Sequence, residues 1–165
     1  MATRSRIGLA LADGNILSVY HHWDGYPRWL GVTLNEKFNT RDKVAELIDG
    51  GDLSCCDSDS DWDRNTVDPT RPLYYNERGE NTEPRLDANQ TAYFGNNEEF
   101  AYIYTLDHEW ECYNLQGGTP VKETIPTQVE ADDHYVKLAE ADLDNVLSST
   151  DDPFPTEQLA EDGAI

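Results

Sequence analysis

A chain of 165 residues is long enough for one domain with a real core, but only 38% of it is hydrophobic, so four Trp, nine Tyr and four Phe must supply much of the buried area. It carries 33 acids against 12 bases, a net charge of −21, and a field of that sign repels phosphate backbones and anionic membrane surfaces. That argues against direct nucleic-acid binding and favours cations or basic protein surfaces as partners.

The charge is unevenly placed. Residues 1–48 hold six bases and five acids; residues 49–165 hold six bases and 28 acids. No run approaches the ~18 apolar residues that a membrane-spanning helix needs. The first residues, Met1 to Arg6, lack the apolar segment of a secretion signal. Cys55 and Cys56 are adjacent and Cys112 stands alone, an odd set that fits a reducing compartment better than a disulfide framework.

In chain order, Arg6 to Ala12 alternates, with Ile7, Leu9 and Leu11 on one face and Gly8, Ala10 and Ala12 on the other. Asp13-Gly14 is a hairpin turn, and Ile16 to Trp23 is the returning strand. On it Leu17, Val19, His21 and Trp23 share one face, and Ile16, Ser18, Tyr20 and His22 the other. Pro27 suits the first turn of a helix whose stripe is Leu30, Leu34 and Phe38. Asn39 or Thr40 caps a second helix, Arg41 to Asp49, with Val44, Leu47 and Ile48 inward and Gly50-Gly51 as its stop.

Asp52 to Cys56 reads as a short strand or loop entry, and residues 57–71 as an acidic loop. Leu73 to Tyr75 is a short strand before a turn at residues 76–79, and 80–92 is polar and irregular. Phe100 to Leu106 and Trp110 to Leu115 form a second hairpin. Residues 119–129 are a Pro-flanked edge strand or linker. Asp132-Asp133 then opens a helix to about Leu147, with Val136, Ala139, Leu143, Val146 and Leu147 as its buried stripe. The expected fold is α+β: an antiparallel sheet built from two β-hairpins, with about three helices largely on one face. One domain covers 1–147, and 148–165 is an acidic, flexible tail.

The stretch densest in chemical groups is Ser18 to Pro27. His21 and His22 are neighbours on a strand, so they point to opposite faces and cannot share a metal without a bulge. No HExxH or CxxC spacing is present, and His21 is better read as a packed, hydrogen-bonded histidine. No metal or other cofactor is expected. No Gly-x-Ser-x-Gly elbow or phosphate loop occurs, and acidic surroundings would blunt Cys55 and Cys56 as nucleophiles. Asp57-x-Asp59-x-Asp61 opens like a calcium loop, but Trp62 stands where that loop needs Gly and Asp68 where it needs Glu, so a solvated acidic loop is the better reading. Tyr20, His22, Trp23, Asp24, Tyr26, Arg28 and Trp29 are the candidate ligand-binding set, since aromatic walls beside an arginine suit a flat ligand. The same residues are also what a packed strand-to-helix corner needs.

Thr3-Arg4-Ser5-Arg6-Ile7-Gly8, Asp13-Gly14 and Ser18-Val19-Tyr20-x-His22-Trp23-Asp24-Gly25-Tyr26-Pro27 resemble the opening of a family of small uncharacterised proteins of tailed phages, cyanophages included. The similarity continues in Arg41-Asp42-Lys43-Val44-x-Glu46-Leu47-Ile48-x-Gly50-Gly51-Asp52 and Tyr75-x-x-Arg78-Gly79-Glu80, and spans about residues 3–115. His21 stands where that family has a small residue, often Cys. The resemblance implies a viral accessory protein made in the cytoplasm of an infected bacterium, of a kind that redirects or inhibits host machinery.

The leading functional expectation is therefore a non-enzymatic protein that binds a host protein with a basic surface. Its acids would stand in for the phosphates of nucleic acid. Candidate contacts are Asp57, Asp59, Asp61, Asp63, Asp132, Asp133, Glu140, Asp142 and Asp144. The alternatives are a binder or sequestering protein for a small ligand or nucleotide at the His22–Trp29 corner, and a small hydrolase there. No membrane partner is expected.

Overall fold

The computed structural model describes residues 2–58, 71–95 and 97–148. Two compact units divide the chain, residues 1–128 and 129–165. The first is an α+β unit around a mixed sheet.

Its opening hairpin pairs β1 (Ser5–Ala10) with β2 (Ile16–His21), Ser5 opposite His21 and Ala10 opposite Ile16. Gly14, at φ 90°, makes the turn that Asp13-Gly14 predicts, and Asp13 accepts from the Asn15 amide at 3.0 Å. β3 (Leu53–Ser58) and β4 (Arg71–Tyr74) follow on one side, and β5 (Arg85–Asp87) pairs with the start of β2. The second hairpin is β6 (Phe100–Tyr104) and β7 (Trp110–Asn114), with β8 (Val121–Glu123) outside it. Among the described residues the sheet order is β4-β3-β2-β1-β6-β7-β8, with β5 off this path on β2.

Both expected hairpins form, and each is antiparallel within itself. They join through their first strands, however, and β1 runs parallel to β6 with Ser5 opposite Phe100 and Leu9 opposite Tyr104. The expected antiparallel sheet is thus mixed. Alternation of apolar residues is the same read in either direction, so it sets the face of a strand and not its sense relative to a distant one. Central placement explains the composition of β6, whose five residues are all buried.

Helices lie mainly on the face of Ile7, Leu9, Val19, Tyr102 and Tyr104. Pro27–Gly31 forms a π-helical turn with Pro27 in its first turn, running directly into α1 (Val32–Lys37). α2 spans Arg41–Asp49, as predicted. Thr40 Oγ1 accepts from the Lys43 amide at 3.2 Å, and Gly51 follows the helix at φ 90°. Leu30, Leu34, Val44, Leu47 and Ile48 fill the core between these helices and the sheet. On the opposite face a smaller cluster gathers Ile16, Ala101 and Ile103 around Tyr93.

Tyr93 belongs to α3 (Gln90–Phe94), where Asn89 Oδ1 caps the Ala92 amide at 2.8 Å. The reading of 80–92 as irregular is corrected by β5 and α3. Both are too short for periodicity to register, and both are held by contacts with β2 and the sheet. Gly8 makes room for α3: a Cβ there would stand 2.9 Å from the Tyr93 hydroxyl.

In the second unit, α4 spans Gln128–Ser148. Its expected buried stripe is corrected at Val136, which is 55% exposed, and at Ala139, which is exposed. The side chains of Leu143, Val146 and Leu147, and the expected tail beyond Ser148, lie outside the described residues. Among the described residues no helix is long and apolar enough to cross a membrane.

Candidate functional site

The strand-to-helix corner is built by tethers on its backbone. β2 ends at His21, two residues short of expectation, because the His22 and Trp23 amides donate to Leu53 O and Ser54 O, both at 3.0 Å. Asp24 takes the left-handed conformation at φ 56°, which aspartate tolerates better than most residues. The Gly25 amide donates to Thr3 O at 2.9 Å, and Tyr102 donates its hydroxyl to Gly25 O at 2.7 Å.

His21 is 1% exposed. The Cys56 amide donates to its Nε2 at 3.0 Å, so the ring proton sits on Nδ1, which donates to Ser5 Oγ at 3.2 Å. Burial, with His22 as a lesser cause, lowers its pKa to about 3. It is a neutral cross-link between β1, β2 and β3, in keeping with the packed reading.

The members of the candidate ligand set differ in their surroundings. Tyr20 Oη lies 2.7 Å from His22 Nδ1, and the His22 ring meets Trp23 edge-on at 4.7 Å between centroids. Burial, then Tyr75, pushes the Tyr20 phenol up to about 12, so it stays protonated at neutral pH. Trp23 leaves the strand face and is 44% exposed. Tyr26 packs against the main core, while Arg28 and Trp29 sit exposed on the π-helical turn. Tyr20, His22 and Trp23 thus form one row of rings.

The acidic candidates divide as well. Asp132, Asp133 and Glu140 are exposed on α4. Asp57 lies in β3 and Asp142 and Asp144 lie in α4, with side chains outside the described residues; Asp59, Asp61 and Asp63 lie wholly outside them. Among the described residues, no three or more His, Cys, Asp or Glu side chains gather as a metal-ligand set.

A second polar region lies beside Tyr20. The outer edge of β2 is shared: β5 pairs with Ile16–Ser18, and β3 pairs at His21 alone. Between them the Tyr20 amide donates to Asp52 Oδ1 at 2.9 Å, and the Asp52 amide to Thr82 Oγ1 at 3.0 Å. Asn76 Oδ1 accepts from the Thr82 amide at 2.8 Å, and its Nδ2 donates to Gly50 O at 3.1 Å.

On the α3 face of this split edge, Arg6 is 7% exposed. Its Nε donates to Ser18 Oγ at 3.0 Å and its Nη2 to Ser18 O at 3.3 Å, and Nη1 lies 3.9 Å from Glu98 Oε1. Arg85 Nε bonds Asp87 Oδ2 at 3.0 Å. Burial, then the Arg85 charge, lowers the Arg6 pKa. None of Arg6, Ser18, Arg85 and Glu98 belonged to the candidate set. The signal was there for Arg6 and Ser18: alternation put both on the face of Gly8 and Ala10, a charge inside a strand bound for burial. Arg85 and Glu98 carry no such mark, because β5 and the entry to β6 take their places only in the assembled sheet.

Comparison of the chain with protein-family models, curated proteins and solved structures gives no match.

Proposed function

We propose that the protein is an accessory protein of a tailed phage that binds a basic surface of a host protein in the infected bacterial cytoplasm. The observation that carries this reading is one face of α4. Positions i, i+3, i+4, i+7 and i+11 from Val129 share a helix face, which sets Val129 and Val136 among Asp132, Asp133 and Glu140. All five side chains are exposed, Val129 at 77% and Val136 at 55%. Lys137 pairs with Asp133 at 3.0 Å, and Asp132 and Glu140 are exposed on the same face. Apolar anchors ringed by carboxylates suit a partner groove with a basic rim. The excess of 28 acids over six bases beyond residue 48 adds long-range attraction to such a partner.

The test is capture of host proteins by the full chain, eluted with a salt gradient. A basic partner is expected to elute as salt rises. Its retention should fall at least tenfold on joint Asp132→Asn, Asp133→Asn and Glu140→Gln, and persist in His22→Ala and Trp23→Ala. Retention indifferent to salt and to the triple substitution overturns the proposal.

A further inference from the structure

Among the described residues, two buried charged atoms on the α3 face of the sheet have no hydrogen-bond partner: Arg85 Nη2 and Glu98 Oε2. They belong to one cluster. Arg6 is a common neighbour, with Glu98 Oε1 at 3.9 Å and Arg85 near enough for its charge to act on the guanidinium. Arg6, Arg85, Asp87 and Glu98 also all act electrostatically on the buried phenol of Tyr93, whose hydroxyl is committed to Tyr102 O at 2.6 Å. Buried polar groups are almost always satisfied, and an unsatisfied ionic group costs more than a neutral one. Here an unmet donor and an unmet acceptor of opposite charge occur in the same cluster.

The signs narrow what could satisfy both. An anion would meet Glu98 and Asp87, and a cation would meet Arg6 and Arg85, so a simple ion of either sign gains from one pair and is opposed by the other. A neutral group that accepts from Arg85 and donates to Glu98 gains from both, through charge-assisted hydrogen bonds. The commonest such edge is –CO–NH–, carried by nucleobases and carboxamides. The Arg85 side chain is 39% exposed, which brings the rim of the cluster to the surface at β5. Beside it β5 and β3 share the edge of β2, where the Tyr20 amide bonds Asp52 and the Asp52 amide bonds Thr82.

We propose that the side-chain cluster of Arg6, Ser18, Arg85 and Glu98 binds a small neutral ligand through an amide-type edge, with Arg85 Nη2 as donor and Glu98 Oε2 as acceptor. The site adjoins the row of rings at Tyr20, which stands opposite Arg6.

Titration calorimetry of the full chain with uridine and, in a separate arm, with glutamine distinguishes a nucleobase from a carboxamide source. Saturable binding of at least one is expected. If uridine binds, 3-methyluridine, which has a methyl in place of the donor hydrogen, should bind at least tenfold more weakly. This comparison leaves the protein unaltered. Glu98→Gln and Arg85→Lys should each raise the Kd at least tenfold, with unchanged circular dichroism, while Trp23→Ala leaves it within twofold. The proposal is overturned if neither probe saturates, in which case the two atoms hold water only. It is also overturned if 3-methyluridine binds as tightly as uridine, or if the Kd ignores both substitutions.

Discussion

His21 shows how one residue can hold three strands. Its two nitrogens join Ser5 on β1 and the Cys56 amide on β3, and the second bond, in which Nε2 accepts, requires the neutral ring. The free energy is linked to pH. With a folded pKa of about 3 against ~6.5 when unfolded, the unfolded chain takes up a proton that the folded one refuses. The contribution is fully present above pH ~6.5 and falls by about 1.4 kcal/mol per pH unit as acidity rises toward pH 3. In His21→Gln that slope is gone. The stability gap between wild type and variant, measured by urea unfolding, should therefore narrow steadily from pH 7 to pH 4.5. A gap constant across that range would refute the assignment. His21 was legible as a packed histidine because its strand face was; its partner Cys56 was not, because β3 meets β2 at a single residue pair.

At the scale of elements, the close of α2 is the tightest junction. The Tyr74 ring packs over Gly50, and its hydroxyl donates to Leu47 O at 2.8 Å, satisfying a carbonyl in the last turn of the helix. A Cβ at residue 50 would collide with that ring. Gly50→Ala should therefore destabilise the protein by ~1–3 kcal/mol, read as a lower urea midpoint at an unchanged slope. Gly50-Gly51 was predicted as a helix stop on backbone grounds alone, and Gly51 bears that out with its positive φ. Gly50 serves a different need, close approach by a distant aromatic ring, which no local pattern discloses. The same distinction separates α2, with a cap and an apolar stripe written in its own residues, from α3, whose burial rests on Gly8 and the sheet beneath it.

Over the whole molecule, a net charge of −21 sets a background of self-repulsion that compactness must overcome. Salt screens it, with a Debye length of ~10 Å at 0.1 M. The melting temperature should rise between 20 mM and 300 mM sodium chloride, and a fall would show that attractive surface pairs outweigh the repulsion. Exposed pairs such as Arg71–Glu77 and Lys122–Glu111, at 2.9 and 3.0 Å, are of little individual weight. The Arg6–Glu98 pair, at 3.9 Å, is more buried than either of these.

The sequence by itself determined the local units: two hairpins, α2 with its cap and stop, the acidity of α4 and the packed role of His21. Turn chemistry, two-residue alternation and helix capping are short-range properties, and each is written in adjacent residues. Only the tertiary structure decided that the hairpins join in parallel through β1 and β6, and that β5 and β3 divide the edge of β2. It alone brought Arg85 and Glu98 to Arg6, residues whose separation along the chain leaves no periodicity to read. The corner from Tyr20 to Trp29 was legible as a dense stretch. Its division into a row of three rings, a core tyrosine and two exposed side chains came from backbone tethers to Thr3, Leu53, Ser54 and Tyr102. Those contacts exist only once distant strands have paired.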